Sequence, residues 1–232
     1  MERFSRTIAL MGENNFEKLQ KASVIIFGVG GVGGYVVECL ARCGIGSIAV
    51  VDKDVVNITN VNRQIIALSS TVGKKKTELV KNRILDINPG CNVTVFDTFY
   101  LPENADEIDL TKYDFVIDAI DTVSAKIELA SRCSALNIPL ISCMGTANHT
   151  DPTSFKIADV YNTDVCPLAR VMRRECKKRG IEKGKVKVLY STEIPLKTFA
   201  YNEEKPAPCS TVFCPATAGI LIANETIKTL MK

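Results

Sequence analysis

The feature that most constrains the fold is a glycine-rich turn at residues 28–34, which follows the apolar run "SVIIF". Gly28, Gly30 and Gly33 have the spacing G-x-G-x-x-G, and the segment after the turn has apolar residues at helical spacing. A buried strand, a glycine turn and a helix in this order are typical of phosphate-binding units. The turn lets the backbone approach a phosphate, and a helix N-terminus favours an anion. The pattern therefore predicts a nucleotide-binding fold.

Strand-like and helical patterns alternate through the first 150 residues. Short apolar runs typical of buried strands are separated by longer segments whose apolar residues recur at helical spacing. This alternation predicts an α/β fold: a Rossmann-like, doubly wound, mostly parallel sheet with helices on both faces. The predicted strands after the first are "SIAVVDKD", "NVTVFDTF", "DFVIDAI" and "PLISCMG", and the predicted helices include "VGGYVVECLARCG", "GKKKTELVKNRILDINPG" and "SAKIELASRCSALN".

The pattern changes after residue 150, where we expect a C-terminal elaboration of the same domain. Residues 1–150 form the predicted nucleotide-binding core, residues 151–232 form the elaboration, and the single domain spans residues 1–232. The elaboration is expected to contain antiparallel strands and a basic helix. Its predicted elements are the strands "SFKIADV" and "KVKVLYST", the helix "PLARVMRRECKKRG", a proline-rich loop from Pro195 to Pro215 and a closing helix.

Composition and cysteine usage are typical of a soluble protein with reduced thiols. The chain has 232 residues, of which 46% are hydrophobic, enough to bury a sizeable core. The N-terminus lacks the apolar segment of a signal peptide, and the late apolar run "ATAGILIAN" is too short to span a bilayer. The nine cysteines include no C-x-x-C pair, which favours free thiols and argues against a structural zinc site. We therefore expect a cytoplasmic protein without a membrane segment.

The loops that follow strands one, two and four are expected to form the ligand site, because they meet beyond the carboxyl ends of a doubly wound sheet. NAD is the usual ligand of the glycine fingerprint, and Asp52, after the second strand, can accept hydrogen bonds from ribose hydroxyls. A hydride-transfer site also needs an apolar nicotinamide slot and an acid or base. The loop after Asp52 is polar, however, and the single histidine, His149, is expected to be a surface or core residue. These features weigh against NAD.

Two cations and a carboxylate favour ATP instead. Arg63, after the second strand, and Lys76, at the start of the next helix, supply positive charge for a polyphosphate. Asp121, at the end of the fourth strand, can hold Mg²⁺, because Mg²⁺ prefers one or two carboxylates plus phosphate oxygens. Together with the glycine turn and Asp52, these groups describe ATP held for attack at a phosphate. A nucleotide-binding regulator or an NAD enzyme stays open as the alternative.

Positive charge is concentrated in one segment, residues 170–187, which we call the basic arm. The basic arm contains nine lysines and arginines and two glutamates, a formal charge of +7, whereas the whole chain carries +3. Leu168, Met172 and Cys176 form an apolar stripe along its helix. The charge indicates contact with RNA phosphates, and a merely solvated surface helix is the alternative. The candidate RNA-binding residues are Arg170, Arg173, Arg174, Lys177 and Lys178.

The motifs "GVGGVGG", "DKDVVNITNVNRQ", "VGKKK" and "AIDTVSAK", in this order, resemble the ThiF-type adenylating domain of the ubiquitin-activating-enzyme superfamily. The resemblance implies that Asp52 binds the ribose of ATP and that Asp121 serves Mg²⁺. It also implies a homodimer in which Arg6 reaches the ATP of the partner subunit, with Arg63, Lys76, Asp121 and Arg6 as the catalytic residues. The implied ATP-binding residues are Gly28, Gly30, Gly31, Gly33, Asp52, Asn60, Arg63, Gln64, Lys76 and Asp121.

The second half of the chain resembles the tRNA threonylcarbamoyladenosine dehydratase family, through "MGTANHTDPTSFKIADVYNTDVCPLARVMRRECKKRGI" and "KVLYSTEIP". This resemblance implies that ATP activates the threonyl carboxylate of the modified adenosine beside the tRNA anticodon, and that ring closure then expels AMP. It makes tRNA the partner and leaves a sulfur-relay partner open. An adenylyltransferase for the C-terminal glycine of a ubiquitin-like sulfur carrier is the alternative. The chemistry needs no cysteine nucleophile, and Cys143 and Cys166 are the candidates if there is one.

Overall fold

A computed structural model describes residues 2–198 and 208–232 of the chain. Its helices and strands agree with the predicted alternation, and short 3-10 helices connect several of them. The strands are β1 (Ser23–Phe27), β2 (Ser47–Val51), β3 (Asn92–Phe96), β4 (Phe115–Asp118), β5 (Leu140–Cys143), β6 (Phe155–Asp159) and β7 (Lys187–Ser191). The helices are α1 (Ser5–Met11), α2 (Glu13–Lys21), α3 (Gly33–Arg42), α4 (Lys76–Ile87), α5 (Val123–Leu136), α6 (Pro167–Lys178) and α7 (Phe213–Leu230).

The seven strands form one sheet in the order β3-β2-β1-β4-β5-β7-β6. All neighbouring pairs are parallel except β6 and β7, which are antiparallel. The strand order reverses direction between β1 and β4. The loops after these two strands therefore leave toward opposite faces of the sheet, and a crevice lies between them. The predicted doubly wound, mostly parallel sheet is confirmed. The elaboration continues this sheet, because β7 pairs in parallel with β5.

The central strands are buried on both faces, which explains their continuous apolar sequences. In β1, Val24 and Ile26 belong to the core on one face of the sheet, which is covered by α3, α4 and α7. Ile25 and Phe27 belong to the core on the other face, which is covered by α5 and α6. The same alternation of neighbours between two cores fixes the register of β1 against β2 and β4.

Helix α7 packs on α3 beside the glycine turn. A Cβ on Gly219 would lie 2.5 Å from the carbonyl oxygen of Val32, so this close approach requires a glycine. The helix begins at Phe213, whereas the sequence analysis extended the preceding loop to Pro215. Proline fits the first turn of a helix because the N–H it lacks has no partner there. The rest of that predicted loop includes residues 199–207, which lie outside the described residues. No helix in the described ranges is long and apolar enough to cross a membrane.

Candidate active site

A cavity of about 740 Å³ opens at the carboxyl ends of the parallel strands. It is the place where the sequence predicts a ligand site, between the loops that follow β1, β2 and β4. The loops after β3 and β5 also line it, together with Leu168 of α6 and with Pro208, Ser210 and Pro215 before and at the start of α7. The predicted site residues that line it are Gly28, Gly30, Gly31, Asp52, Asn60, Arg63, Gln64, Lys76 and Asp121. Gly33 lies beneath the turn, and Arg6, exposed on α1, is not among the lining residues.

The three glycines of the fingerprint have different physical roles. Gly28 has a φ of +85°, and a Cβ there would lie 2.7 Å from the carbonyl oxygen of Ala119. A Cβ on Gly33 would lie 1.9 Å from the carbonyl oxygen of Gly28. The fold itself therefore requires these two glycines. A Cβ on Gly30 would meet only Nε2 of Gln64, at an ordinary 3.6 Å, so the fold tolerates a side chain there and only a ligand would exclude it.

Asp52 connects the end of β2 to the glycine turn. Its Oδ2 accepts a hydrogen bond of 2.8 Å from the N–H of Val29, and its Oδ1 accepts one of 2.8 Å from the N–H of Asp54. The carboxylate is half-buried and lines the cavity. A carboxylate has about four acceptor positions, so Asp52 can also accept hydrogen bonds from ribose hydroxyls.

Lys76 is buried at the start of α4 and points its charge toward the cavity. Its side chain is 6% exposed, and Nζ lies 2.7 Å from Oδ2 of Asp54. Asp54 also lines the cavity and is 50% exposed. The ion pair orients the buried ammonium at the cavity wall. Asp54 was not predicted as a site residue, although its position two residues after Asp52 is a signal for it.

The loop after β2 supplies polar groups to the same wall. Nη1 of Arg63 donates hydrogen bonds of 2.9 Å to the carbonyl oxygen of Thr59 and to Oδ1 of Asn62, which hold the guanidinium at the cavity. Gln64 is buried, and its Oε1 accepts no hydrogen bond from the described part of the chain. A buried, unpaired acceptor is costly, and only a hydrogen-bond donor, such as a ligand hydroxyl or a water, would supply its partner.

Asp121 lies exposed in the loop after β4, and a buried polar network lies behind that loop. Nζ of Lys126 contacts both carboxylate oxygens of Asp118 at 3.1 Å, and it donates a hydrogen bond of 2.6 Å to the carbonyl oxygen of Cys143. Ser142 donates a hydrogen bond of 2.5 Å to Asp118. The network holds the ends of β4 and β5 together. This network was not predicted from the sequence, because a lysine on a helix usually faces solvent.

The cysteine and histidine candidates are placed unfavourably for catalysis. Cys143 reaches the cavity wall, but burial raises the pKa of its thiol to about 12, so the thiol stays protonated near neutral pH. Cys166 and His149 are buried and do not line the cavity. Nδ1 of His149 lies 3.4 Å from Oε2 of Glu193, in the predicted role of a core residue. The cavity wall therefore offers no imidazole for hydride transfer.

Part of the positive charge of helix α6 has no partner among the described residues, and the rest pairs with neighbouring groups. Arg170 and Lys177 are exposed, whereas Nη1 of Arg173 donates hydrogen bonds of 2.6 and 2.7 Å to the carbonyl oxygen and hydroxyl of Thr163. Arg174, Lys178 and Arg179 each pair with Glu175. The buried stripe contains Ala169, Met172 and Cys176. Leu168, predicted for that stripe, packs partly buried against the same core and also lines the cavity. The pairings of these cations with Thr163 and Glu175 were not predicted from the sequence.

Comparison with known proteins agrees with the fold and the cavity. The ThiF family model matches residues 4–232. The tRNA threonylcarbamoyladenosine dehydratase of Bacillus subtilis is 43% identical over 244 residues, covering 100% of this chain and 96% of the relative. The Haemophilus influenzae dehydratase is 35% identical over 245 residues, covering 100% and 94%. A crystal structure of the E. coli tRNA N6-threonylcarbamoyladenosine dehydratase in complex with ATP has a TM-score of 0.91 and 36% identity, covering 99% of this chain and 94% of that one.

The fold, the glycine turn and the cavity define a nucleotide-binding α/β protein of the doubly wound class. Within that class, the chain belongs to the ThiF family. The resemblance to the tRNA threonylcarbamoyladenosine dehydratases is confirmed over the full length of the chain.

Replacing Gly30 with alanine tests whether the turn holds a phosphate. We expect ATP affinity to fall at least tenfold, because the added methyl group occupies the space through which a phosphate approaches the backbone N–H groups. Calorimetric titration with ATP measures this, and urea unfolding checks that stability is unchanged. Gly90→Ala, in an exposed turn, is the matched control. Equal ATP affinity in both variants would contradict the phosphate assignment.

Proposed function

We propose that the protein catalyses the ATP-dependent dehydration of N6-threonylcarbamoyladenosine in tRNA, next to the anticodon. The observation that carries the proposal is one cavity in which the glycine turn, Asp52, Arg63, Lys76 and Asp121 meet, in a chain whose full-length relatives are named for this reaction. ATP is a substrate here. Its ribose is assigned to Asp52 and its phosphates to the glycine turn, Arg63 and Lys76, with Asn60 and Gln64 as further contacts.

The cavity suits the adenylation of a carboxylate. A free carboxylate is a poor electrophile, and its attack on the α-phosphate gives a mixed anhydride with AMP, a good leaving group, while pyrophosphate departs. A second group of the same modification then attacks the acyl carbon, breaks its bond to AMP and closes a ring, so that one water is lost overall. Because the attacking group is tethered, the protein mainly has to orient the groups and neutralise charge. Arg63 and Lys76 supply that neutralisation, and no cysteine is needed.

Asp121 is the proposed contact for Mg²⁺. The exposed carboxylate at the cavity has the chemistry that Mg²⁺ prefers. Across residues 2–198 and 208–232, no group of three or more histidine, cysteine or acidic side chains could hold a metal ion. The ion would therefore complete its coordination with phosphate oxygens and water, where it would neutralise charge on the departing pyrophosphate.

The decisive experiment incubates the protein with ATP, Mg²⁺ and tRNA that contains threonylcarbamoyladenosine, and then measures nucleoside masses. We expect the modified nucleoside to lose the mass of one water. Lys76→Met keeps the volume of the side chain, and Arg63→Gln keeps its polarity. Each should lower the rate by about a hundredfold or more, as is typical when a charge stabiliser at the reacting group is lost.

The same assay separates the alternatives. If the protein adenylates a sulfur carrier, a partner protein that ends in Gly-Gly will stimulate exchange of pyrophosphate into ATP while the tRNA mass stays unchanged. If it is a nucleotide-binding regulator or an NAD enzyme, it will bind NAD more tightly than ATP and will adenylate neither substrate. Either result would contradict the proposed function.

We infer a homodimer in which Arg6 completes the site of the partner subunit. Arg6 is exposed on α1 and does not line the cavity of its own chain, so it can act on ATP only across a subunit interface. A cytoplasmic location fits the tRNA substrate. A sulfur-relay protein is a further candidate partner, to be sought by assaying cyclisation with and without it.

Mixing two inactive variants tests the shared site. Arg6→Ala and Asp121→Ala should each be inactive, and mixed dimers should regain up to about a quarter of wild-type activity, because half of the dimers are mixed and each carries one intact site. Native mass spectrometry measures subunit exchange in the same sample. Complete exchange without any recovery of cyclisation would exclude a shared site, and Arg6→Ala mixed with itself is the control.

The exposed cations of the basic arm are proposed to contact tRNA phosphates. Arg170 and Lys177 are the best probes, because the guanidinium of Arg173 is bound to Thr163, and Arg174 and Lys178 pair with Glu175. Hydrogen bonds from Arg179 and then Lys178 lower the pKa of Glu175 to about 2, so this carboxylate stays ionised and offsets part of the charge of the arm.

Replacing both Arg170 and Lys177 with glutamine should weaken tRNA binding and flatten its dependence on salt. Each lost phosphate contact should reduce the slope of log affinity against log salt by roughly 0.7–0.9, because fewer counterions are released. Filter binding at several salt concentrations measures the slope. The double variant Lys81→Gln and Lys228→Gln removes the same charge from other exposed helix positions. The same slope in both double variants would mean that the arm is only a solvated surface.

A further inference from the structure

The cavity extends beyond the groups assigned to ATP. Asp52 and Lys76 lie on the side of β1, β2 and β3, whereas residues 144–147, which follow β5, line the opposite side together with Leu168. In a doubly wound sheet, a two-part ligand lies across the switch point between the two halves, here between β1 and β4. The β5 side is therefore available for the second reactant.

The segment after β5 is held at both ends. The N–H of Met144 donates a hydrogen bond of 2.8 Å to the carbonyl oxygen of Leu189, and the carbonyl oxygen of Cys143 accepts one of 2.6 Å from Lys126. At the other end, Asn148 and Cys209 are joined by reciprocal hydrogen bonds of 2.6 and 2.8 Å. These anchors fix the backbone between them.

Three backbone donors between the anchors have no acceptor among the described residues. Within the part of the chain that the structure describes, the N–H groups of Gly145, Thr146 and Ala147 donate no hydrogen bond. All three residues line the cavity, and a Cβ added to Gly145 would meet no atom within 4 Å. Successive N–H groups that have no protein acceptor and lie on a fixed backbone can bind an anionic oxygen that enters the cavity.

We propose that residues 145–147 bind the carboxylate of the acyl substrate, an N-carbamoyl amino acid carried on a nucleoside. Neutral N–H donors orient a carboxylate while leaving lone pairs for reaction, and the small side chains of Gly145 and Ala147 leave room for the substrate. One carboxylate oxygen then forms a bond to the α-phosphorus of ATP, and the bond from that phosphorus to the bridging oxygen breaks, so that pyrophosphate leaves with the electron pair. This inference rests on the proposed function.

A valine at position 145 tests the assignment. Gly145 has no positive φ, and its missing side chain faces open space, so Gly145→Val should fold with an unchanged urea midpoint. We expect kcat/KM for threonylcarbamoyladenosine-containing tRNA to fall at least tenfold, while the Kd for ATP stays within twofold of wild type. Gly90→Val is the matched control away from the cavity. Gly30→Ala, on the ATP side, should instead raise the Kd for ATP.

Each outcome either supports or overturns the assignment of residues 145–147. Unchanged kcat/KM for tRNA, or a loss of ATP affinity as large as the loss of kcat/KM, would overturn the assignment of residues 145–147 to the carboxylate. If Gly145→Val does not fold, Gly145→Ala provides the same comparison with an expected loss of about threefold, and no loss there would equally overturn it. If the wild-type protein itself fails to cyclise the modified tRNA, the proposed function is wrong and this inference falls with it.

Discussion

Two close backbone contacts at the glycine turn set the geometry on which the site depends. Gly28 lies against the carbonyl of Ala119, just after β4, and Gly33 lies against the carbonyl of Gly28. The first contact draws the end of β1 against the end of β4, and the second folds the turn back into α3. The cavity at the switch point has its shape because neither contact admits a side chain. Gly30 faces no such restriction, so the fold itself does not require a glycine at this position.

The buried pair of Lys126 and Asp118 sets the other wall of the cavity. The side chains are 1% and 0% exposed, and the carboxylate also accepts hydrogen bonds from Ser142 and from the N–H of Ile120. Removing one partner of such a pair costs about 3–5 kcal/mol, because the other charge stays buried alone. The network therefore gives the loops with Asp121 and residues 145–147 rigid starting points at the ends of β4 and β5.

The fold could be predicted because its signals are local. Continuous apolar runs marked β1, β2, β4 and β5, and helical periodicity marked the helices between them. Features that depend on contacts distant in sequence could not be predicted. Asp54 belongs to the site because it pairs with Lys76, which is 22 residues away in the sequence. Arg173 donates a hydrogen bond to Thr163, which lies outside its own helix. The start of α7 was missed because proline signals a loop, although a first helical turn accepts it. The roles assigned to individual site residues stay predictions.

The charges at the cavity explain why adenylation here would depend on more than arginine and lysine. Within the described ranges, the charged lining residues are Asp52, Asp54, Asp121, Arg63, Lys76 and Lys126. Lys126 is neutralised by Asp118, and Lys76 already pairs with Asp54. Three carboxylates thus face two cations before a polyphosphate enters, and this net negative formal charge opposes the entry of a polyanion. In the proposed site, a divalent cation on Asp121 and the neutral backbone donors of the glycine turn would hold phosphate without adding negative charge. Neutral donors at residues 145–147 would likewise hold a carboxylate without adding a cation that competes with Lys76 for the phosphates.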